Sequence, residues 1–325
     1  MMIDRPVLIV DSLNLFMRAW AAFPTMSSHG YQMGGCVGFL KVLKRIVSEI
    51  QPSKVILAWE GGGSSRRRKL LPEYKEKRRP EKLNRFYGDD IPDTSDNKNH
   101  QMVTLINILK NVPVCQVYVS DCEGDDIIAY LCRGPFRKDL KVIASSDKDM
   151  YQLLDDLTRI YSFHKKSYVD SSDIFNEFNI KTHNFAIAKA LCGDAGDNVP
   201  GIKGFGFKTA VTRFPFLGSD EHITVQDVIN YSSTHVSESK HYKKIIDSES
   251  ELKRNWDLVF LDGSMMAANQ ISRIENAVNT FVPKVNRMDF TKYMLKEGIN
   301  DFDVESFFYA FNCVEGLSYN NMVNK

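Results

Sequence analysis

Residues 7–11 read VLIVD, four apolar residues closed by an aspartate, and this form recurs through the first half of the chain. KVILAWE (54–60) again runs apolar into an acid, and VPVCQVYVS (112–120) leads into Glu123, Asp125 and Asp126. LKVIASSD (140–147) ends on Asp147, with Asp149 two residues on, and TRIYSF (158–163) follows. Short apolar runs of this kind read as strands buried on both faces. Between them, CVGFLKVLKRIVSEI (36–50) carries a helical stripe through Val37, Leu40, Val47 and Ile50, and a second helical pattern runs from Asp125 to Cys132. Strand, helix, strand in repetition predicts an α/β fold with a mainly parallel central sheet flanked by helices.

Outward from this core the pattern changes. Residues 61–99 begin GGGSSRRRK and end DDIPDTSDNKNH without a strand signal. A connection this long inside an α/β unit is usually functional or disordered. After about residue 180 strand signals stop, which divides the chain into an α/β core (1–180) and a helical part (181–325). Residues 240–325 read as a polar, helical and loop-rich extension. If the helix of 184–192 continues, Asp194 and Asp197 fall on one side of its end.

Composition sets limits. The 43% hydrophobic content and mean hydropathy of −0.29 suit a chain with a sizeable core, and no apolar run approaches a membrane span. Acids flank the first apolar run, so no secretory leader is expected and the setting reads as cytoplasmic. Six cysteines without a CxxC pair read as reduced thiols, not a zinc site. Against 41 acids stand 42 bases, a net charge of +1, which at face value argues against a nucleic-acid partner.

The acids carry the chemistry. In open α/β sheets ligands bind beyond the carboxyl ends of the strands, where Asp11, Glu60, Glu123, Asp125, Asp126, Asp147 and Asp149 fall. With 41 acids in 325 residues a single D-x-D pair is weak, and each alone reads equally as a helix-start acid or a solvated loop. Their joint placement at strand ends is harder to reach by chance. With Asp194 and Asp197 they make nine carboxylates, which cannot share a small volume as bare anions. Oxygen-only donors select hard divalent ions, Mg²⁺ or Mn²⁺. Two such ions serve in-line phosphoryl displacement, so the chemistry implied is phosphodiester hydrolysis.

Residues 66–85, RRRKLLPEYKEKRRPEKLNR, hold ten bases, among them Arg67, Lys75 and Arg78, against three acids. The run is either a solvated helix face or a phosphate-binding element beside the carboxylates, with Tyr74 able to stack on a base or sugar. GIKGFGFKTA (201–210) places Gly201, Lys203, Gly204, Gly206 and Lys208 in a tight hairpin. It is either an ordinary inter-helix turn or a loop offering backbone N–H groups to phosphate.

Taken together, VDSLNLFMR (10–18), RRRKLLPEYKEKR (66–78), CEGDDIIAYL (122–131), ASSDKDMYQLL (144–154) and ALCGDAGDNVPGIKGFGFKTA (190–210) resemble the 5′-nuclease family. That family comprises flap endonucleases, bacteriophage 5′–3′ exonucleases and the N-terminal nuclease domain of bacterial DNA polymerase I. The matching stretches keep family order across residues 7–215, and the length and long tail look most like the bacteriophage members.

The resemblance implies a PIN-like core, a helical arch at 62–104 and a helix-hairpin-helix at about 190–215. It implies two Mg²⁺ ions, replaceable by Mn²⁺, one held by Asp11, Glu60, Glu123 and Asp125 with Asp126 beside them, the other by Asp147, Asp149, Asp194 and Asp197. Lys75 and Arg78 match catalytic cations, Arg18 a base near the scissile nucleotide, and Gly201 to Lys208 a duplex grip that often binds K⁺. Where the family's second strand usually ends in Asp, Glu60 supplies the carboxylate on a longer arm.

The substrates implied are 5′ flaps, nicked duplexes and RNA primers, cut by a monomer whose residues 240–325 are open to replication proteins. Two alternatives stand beside this: a PIN-type RNase, usually shorter and without the glycine hairpin, and a catalytically weak DNA-structure binder. The near-zero net charge then reads as an acidic pocket averaged against a basic surface.

Overall fold

A computed structural model describes residues 5–76 and 95–319. β1 (Val7–Asp11) runs directly into α1 (Ser12–Ala22), followed by α2 (Gly34–Ile50), β2 (Lys54–Trp59), α3 (Ser65–Leu70), α4 (Ser95–Leu109) and β3 (Cys115–Tyr118). Next come α5 (Gly124–Arg133), β4 (Lys141–Ala144), a 3₁₀ segment (Lys148–Leu153), β5 (Thr158–Ser162), β6 (Ser167–Val169), α6 (Ser171–Phe178) and α7 (Phe185–Cys192). A two-residue hairpin ladder, β7 (Gly193–Asp194) with β8 (Val199–Pro200), precedes α8 (Phe207–Arg213), α9 (Val225–Thr234), α10 (Lys240–Asp247) and α11 (Glu249–Val259). The chain closes through α12 (Ala268–Thr280), β9 (Lys284–Val285), α13 (Arg287–Lys296), α14 (Val304–Ala310) and β10 (Ser318–Tyr319).

The main sheet has the order β3-β2-β1-β4-β5-β6, parallel except for the β6 edge. The chain first winds outward from β1 to β3, then returns to lay β4 on the other side of β1. That reversal opens a crevice at the carboxyl ends of β1 and β4, where Asp11 and Asp147 lie. Period-two alternation divides the strands between two apolar layers. Val7 and Ile9 join Ile56, Val117, Ile143 and Ile160 under α5 and α7, while Leu8 and Val10 join Leu57, Val142 and Tyr161 under α1 and α2. Leu8, Ile9 and Val10 are wholly buried, each side chain contributing about 1.5–3 kcal/mol of transfer free energy.

Three expectations change. The helix of 184–192 does not continue to Asp194: it stops at Cys192 because Gly193 turns to φ +74, and Asp194 and Asp197 lie in the hairpin that follows. β6, β7, β8, β9 and β10 are strands the sequence reading did not anticipate, being two or three residues long. The C-terminal extension, read as polar, helical and loop-rich, also supplies part of the core. Phe290, Phe307, Phe308 and Phe311 are buried in the same layer as Leu8 and Leu57.

Candidate active site

The acids at the strand ends line one cleft of about 220 Å³: Asp11, Glu60, Glu123, Asp125 and Asp147, with Asn14, Arg18 and Lys75. Each is placed by a local device. Asp11 ends β1 and caps α1, accepting from Asn14 N at 3.1 Å, while its other oxygen accepts from Ser145 Oγ at 2.9 Å. Glu123 is the N-cap position of α5, so Asp125 and Asp126 sit in its first turn, where the helix dipole favours anions. Asp147 caps the 3₁₀ segment by accepting from Asp149 N at 2.9 Å.

Burial governs the titration of Asp11, Asp125 and Asp149. Burial, with Asp147 and Glu60 adding repulsion against the Asn14 and Ser145 hydrogen bonds, pushes Asp11 up to about 6. Desolvation, then Asp147 and Asp11, holds Asp125 well above the ordinary carboxylate range. Burial raises Asp149 to about 7 despite the Lys189 ammonium beside it. For Asp194 burial loses to Lys189 and to two backbone N–H donors, and its carboxyl lies below the ordinary value.

Protein cations lie among these acids. Lys189, buried on α7, donates to both Asp149 and Asp194, the latter at 2.5 Å. Lys75 Nζ is 2.7 Å from Glu123 Oε2 and 3.9 Å from Asp197 Oδ2. Among the described residues no three acid, His or Cys side chains already converge as an ion's ligand set. The donors nonetheless fit a hard divalent cation. They are oxygens only, and two buried acceptors in the cleft, Glu123 Oε1 and Asn14 Oδ1, have no hydrogen-bond partner.

Three expected contacts are corrected. Arg67 is 1% exposed and cannot touch DNA. Its guanidinium bonds Asp126 through both terminal nitrogens at 2.7 Å and Glu123 at 2.9 Å, and its Nε donates to Leu258 O. Asp126 is thereby committed to Arg67 and stands outside the cleft as its counter-ion. Tyr74 is also buried, its hydroxyl donating to Glu123 and Asp197 at 3.1 Å each, so its ring is no open stacking platform.

Arg18 is exposed at the cleft rim. In the glycine hairpin Ile202 and Phe205 are buried while Lys203, Gly204, Gly206 and Lys208 face solvent. Gly204 has φ +92, and a Cβ on Gly201 would lie 2.0 Å from Cys192 O, so both positions require glycine. Arg78 lies outside the described residues.

Sequence reasoning missed Lys189, Ser145 and Asn14. Lys189 left a faint trace as the lone charge in FAIAKALC, five residues before Asp194. The six cysteines are free, and burial raises their thiols, Cys115 up to about 12, which leaves no activated thiol.

The profile of the family described as "5′-3′ exonuclease, N-terminal resolvase-like domain" matches residues 6–179, more than half of the chain. The chain belongs to this family. A 5′-3′ exonuclease of Buchnera aphidicola subsp. Acyrthosiphon pisum is 32% identical over 225 residues, covering 68% of this chain and 73% of the relative. The Aquifex aeolicus 5′-3′ exonuclease is 28% identical over 221 residues, covering 67% and 72%. Among solved structures, the bacteriophage T5 flap endonuclease in a pseudo-enzyme–product complex with DNA and metal ions superposes with a TM-score of 0.62 at 21% identity. That match covers 91% of this chain and all of the T5 chain, and establishes the shared fold. The 5′-3′ exonuclease family member described here is thus a nuclease, a hydrolase whose homologues have been seen with divalent metal ions. No helix among its described residues is long and apolar enough to cross a membrane.

Proposed function

We propose that the chain is a structure-specific, Mg²⁺-dependent 5′ nuclease that hydrolyses phosphodiester bonds at 5′ flaps, nicked duplexes or RNA primers, in replication primer removal. The observation that carries the reading is Glu123: a buried carboxylate with an orphaned oxygen, in a cleft of oxygen donors that also holds Lys75 and Arg18. Asp11, Glu60, Glu123 and Asp125 are the residues to hold one ion, and Asp149, Asp194 and Asp197 the second; Asp147, expected with the second set, lines the cleft with the first and is proposed to serve there. Bound there, such ions would acidify a water and offset charge on the attacking and leaving oxygens.

The chain's own groups do the rest. The Lys75 ammonium, on the cleft wall, draws a phosphate oxygen toward the acids and offsets its growing negative charge. Arg78 is assigned the same task. Arg18 at the rim holds a neighbouring phosphate, and the exposed face of the 201–208 hairpin grips duplex backbone without reading sequence. A K⁺ ion at this hairpin belongs to the same proposal, beside the Lys203 carbonyl that accepts from Lys244 Nζ at 2.8 Å. Residues 181–325 are proposed as the duplex-binding part, with replication proteins meeting the C-terminal region. A substrate panel of flap, nick, primer hybrid and single strand, with Mg²⁺ and with EDTA, tests it. Metal-dependent cutting of the first three supports the reading, and absence of metal-dependent cutting on all four rejects it.

A further inference from the structure

We infer that Asn198 is a positioning residue for Lys75, acting through a clip that fastens residues 73–75 to the Gly193–Pro200 hairpin. The inference rests on the assignment of Lys75 to the scissile phosphate.

Three consecutive residues are each tied to the hairpin. Asn198 Nδ2 donates to Glu73 O at 2.8 Å, Tyr74 Oη donates to Asp197 Oδ2 at 3.1 Å, and Lys75 N–H donates to Asp197 O at 2.9 Å. The clip holds an unfavourable backbone. Lys75 has φ +60, a left-handed conformation that is unfavourable for a non-glycine residue. From that turn the Lys75 side chain lines the cleft, with Nζ 2.7 Å from Glu123 Oε2 and 3.9 Å from Asp197 Oδ2 of the hairpin. Without the clip the segment relaxes toward right-handed backbone and the ammonium loses its aim.

Asn198 suits the other half of the clip. It is itself left-handed, φ +59, a conformation Asn tolerates better than most residues, and this turn points its amide at Glu73. The platform beneath it is stiff. Gly193 and Gly201 approach so closely that a Cβ on Gly193 would lie 2.2 Å from Gly201 N, and Val199 is buried. Among the side-chain bonds of the clip, the Asn198 amide makes the one that involves neither a candidate metal ligand nor the cation it positions.

The test compares wild type, Asn198→Gly, Lys75→Ala and the double variant in single-turnover flap cleavage. Asn198→Gly accepts the left-handed turn and removes the amide donor with the rest of the side chain. It should lower the rate about tenfold, the scale of one lost positioning bond, with duplex affinity and half-activating Mg²⁺ concentration unchanged. The double variant should be no slower than Lys75→Ala. In EDTA, without any turnover, trypsin should cut after Lys75 faster in Asn198→Gly than in wild type.

A wild-type rate for Lys75→Ala removes the Lys75 assignment itself. A slow Lys75→Ala beside a wild-type rate or unchanged trypsin cutting for Asn198→Gly overturns the clip alone. Further loss in the double variant, or a shifted Mg²⁺ dependence, places Asn198 with the hairpin carboxylates and also overturns it.

Discussion

Lys189 Nζ lies 2.5 Å from a carboxylate oxygen of Asp194, and the same buried ammonium also bonds Asp149. One protein cation thus offsets part of the charge of two acids for which the sequence alone suggests only divalent ions. Removing one partner of a buried ion pair typically costs about 3–5 kcal/mol, because the other charge stays buried and unpaired. Lys189→Met should therefore lower the thermal midpoint in EDTA, and Mg²⁺ should restore more stability to the variant than to wild type. Thermal unfolding with and without Mg²⁺ checks this, and equal metal stabilisation of both proteins would count against it.

Arg67 carries a second buried pairing, bidentate to Asp126 with a further bond to Glu123. Arg67→Met should destabilise the fold by about 3–5 kcal/mol, readable by denaturant titration. Arg67→Lys loses the planar fork and should fall between. Neither change should alter the salt slope of duplex binding, since the side chain is not a phosphate contact. A reduced slope would return Arg67 to the DNA surface.

The role proposed for Lys75 predicts an effect on rate more than on affinity. Lys75→Ala should lower single-turnover cleavage by about 100- to 1,000-fold, the usual scale for one transition-state donor, while duplex affinity changes far less. Equal losses in the two would make Lys75 a positioning contact.

The raised carboxyls predict a pH effect of definite sign. Asp11 at about 6 and Asp149 at about 7 hold their protons in the folded metal-free protein where the unfolded chain, at 3.8, has lost them. Stability in EDTA should therefore fall as pH rises from about 4 to 7. Asp194, held below its ordinary value, works the opposite way, but only below that window. Divalent ions bind the ionised acids, so Mg²⁺ stabilisation should be larger at pH 8 than at pH 5. Thermal midpoints at both pH values, with EDTA and with Mg²⁺, measure it.

The sheet and the acids at its strand ends could be read because the signal is local: an apolar run followed at once by Asp11, Glu60 or Asp147. The sorting of charges within the site could not be read that way. Arg67 stands in a run of bases that looks solvated, yet α11 covers it through Leu258 O and two acids claim it. Lys189 sits in an apolar helix whose burial is fixed only when α7 meets α11 and the 3₁₀ segment. The helix stop at Gly193 was written in the sequence as a glycine, but its consequence, placing Asp197 against Lys75, needed the hairpin to be seen.

The strand-end carboxylates Asp11, Glu60, Glu123, Asp125 and Asp147 are proposed to form a metal-dependent hydrolytic centre. Cleavage of a labelled 5′-flap duplex by wild type and by Asp147→Asn, each in Mg²⁺ and in EDTA and with duplex binding measured in parallel, tests it most directly. Wild type should cleave in Mg²⁺ and not in EDTA, and Asp147→Asn should not cleave although it still binds the duplex. Wild-type-like turnover by Asp147→Asn, or undiminished cleavage in EDTA, would contradict it.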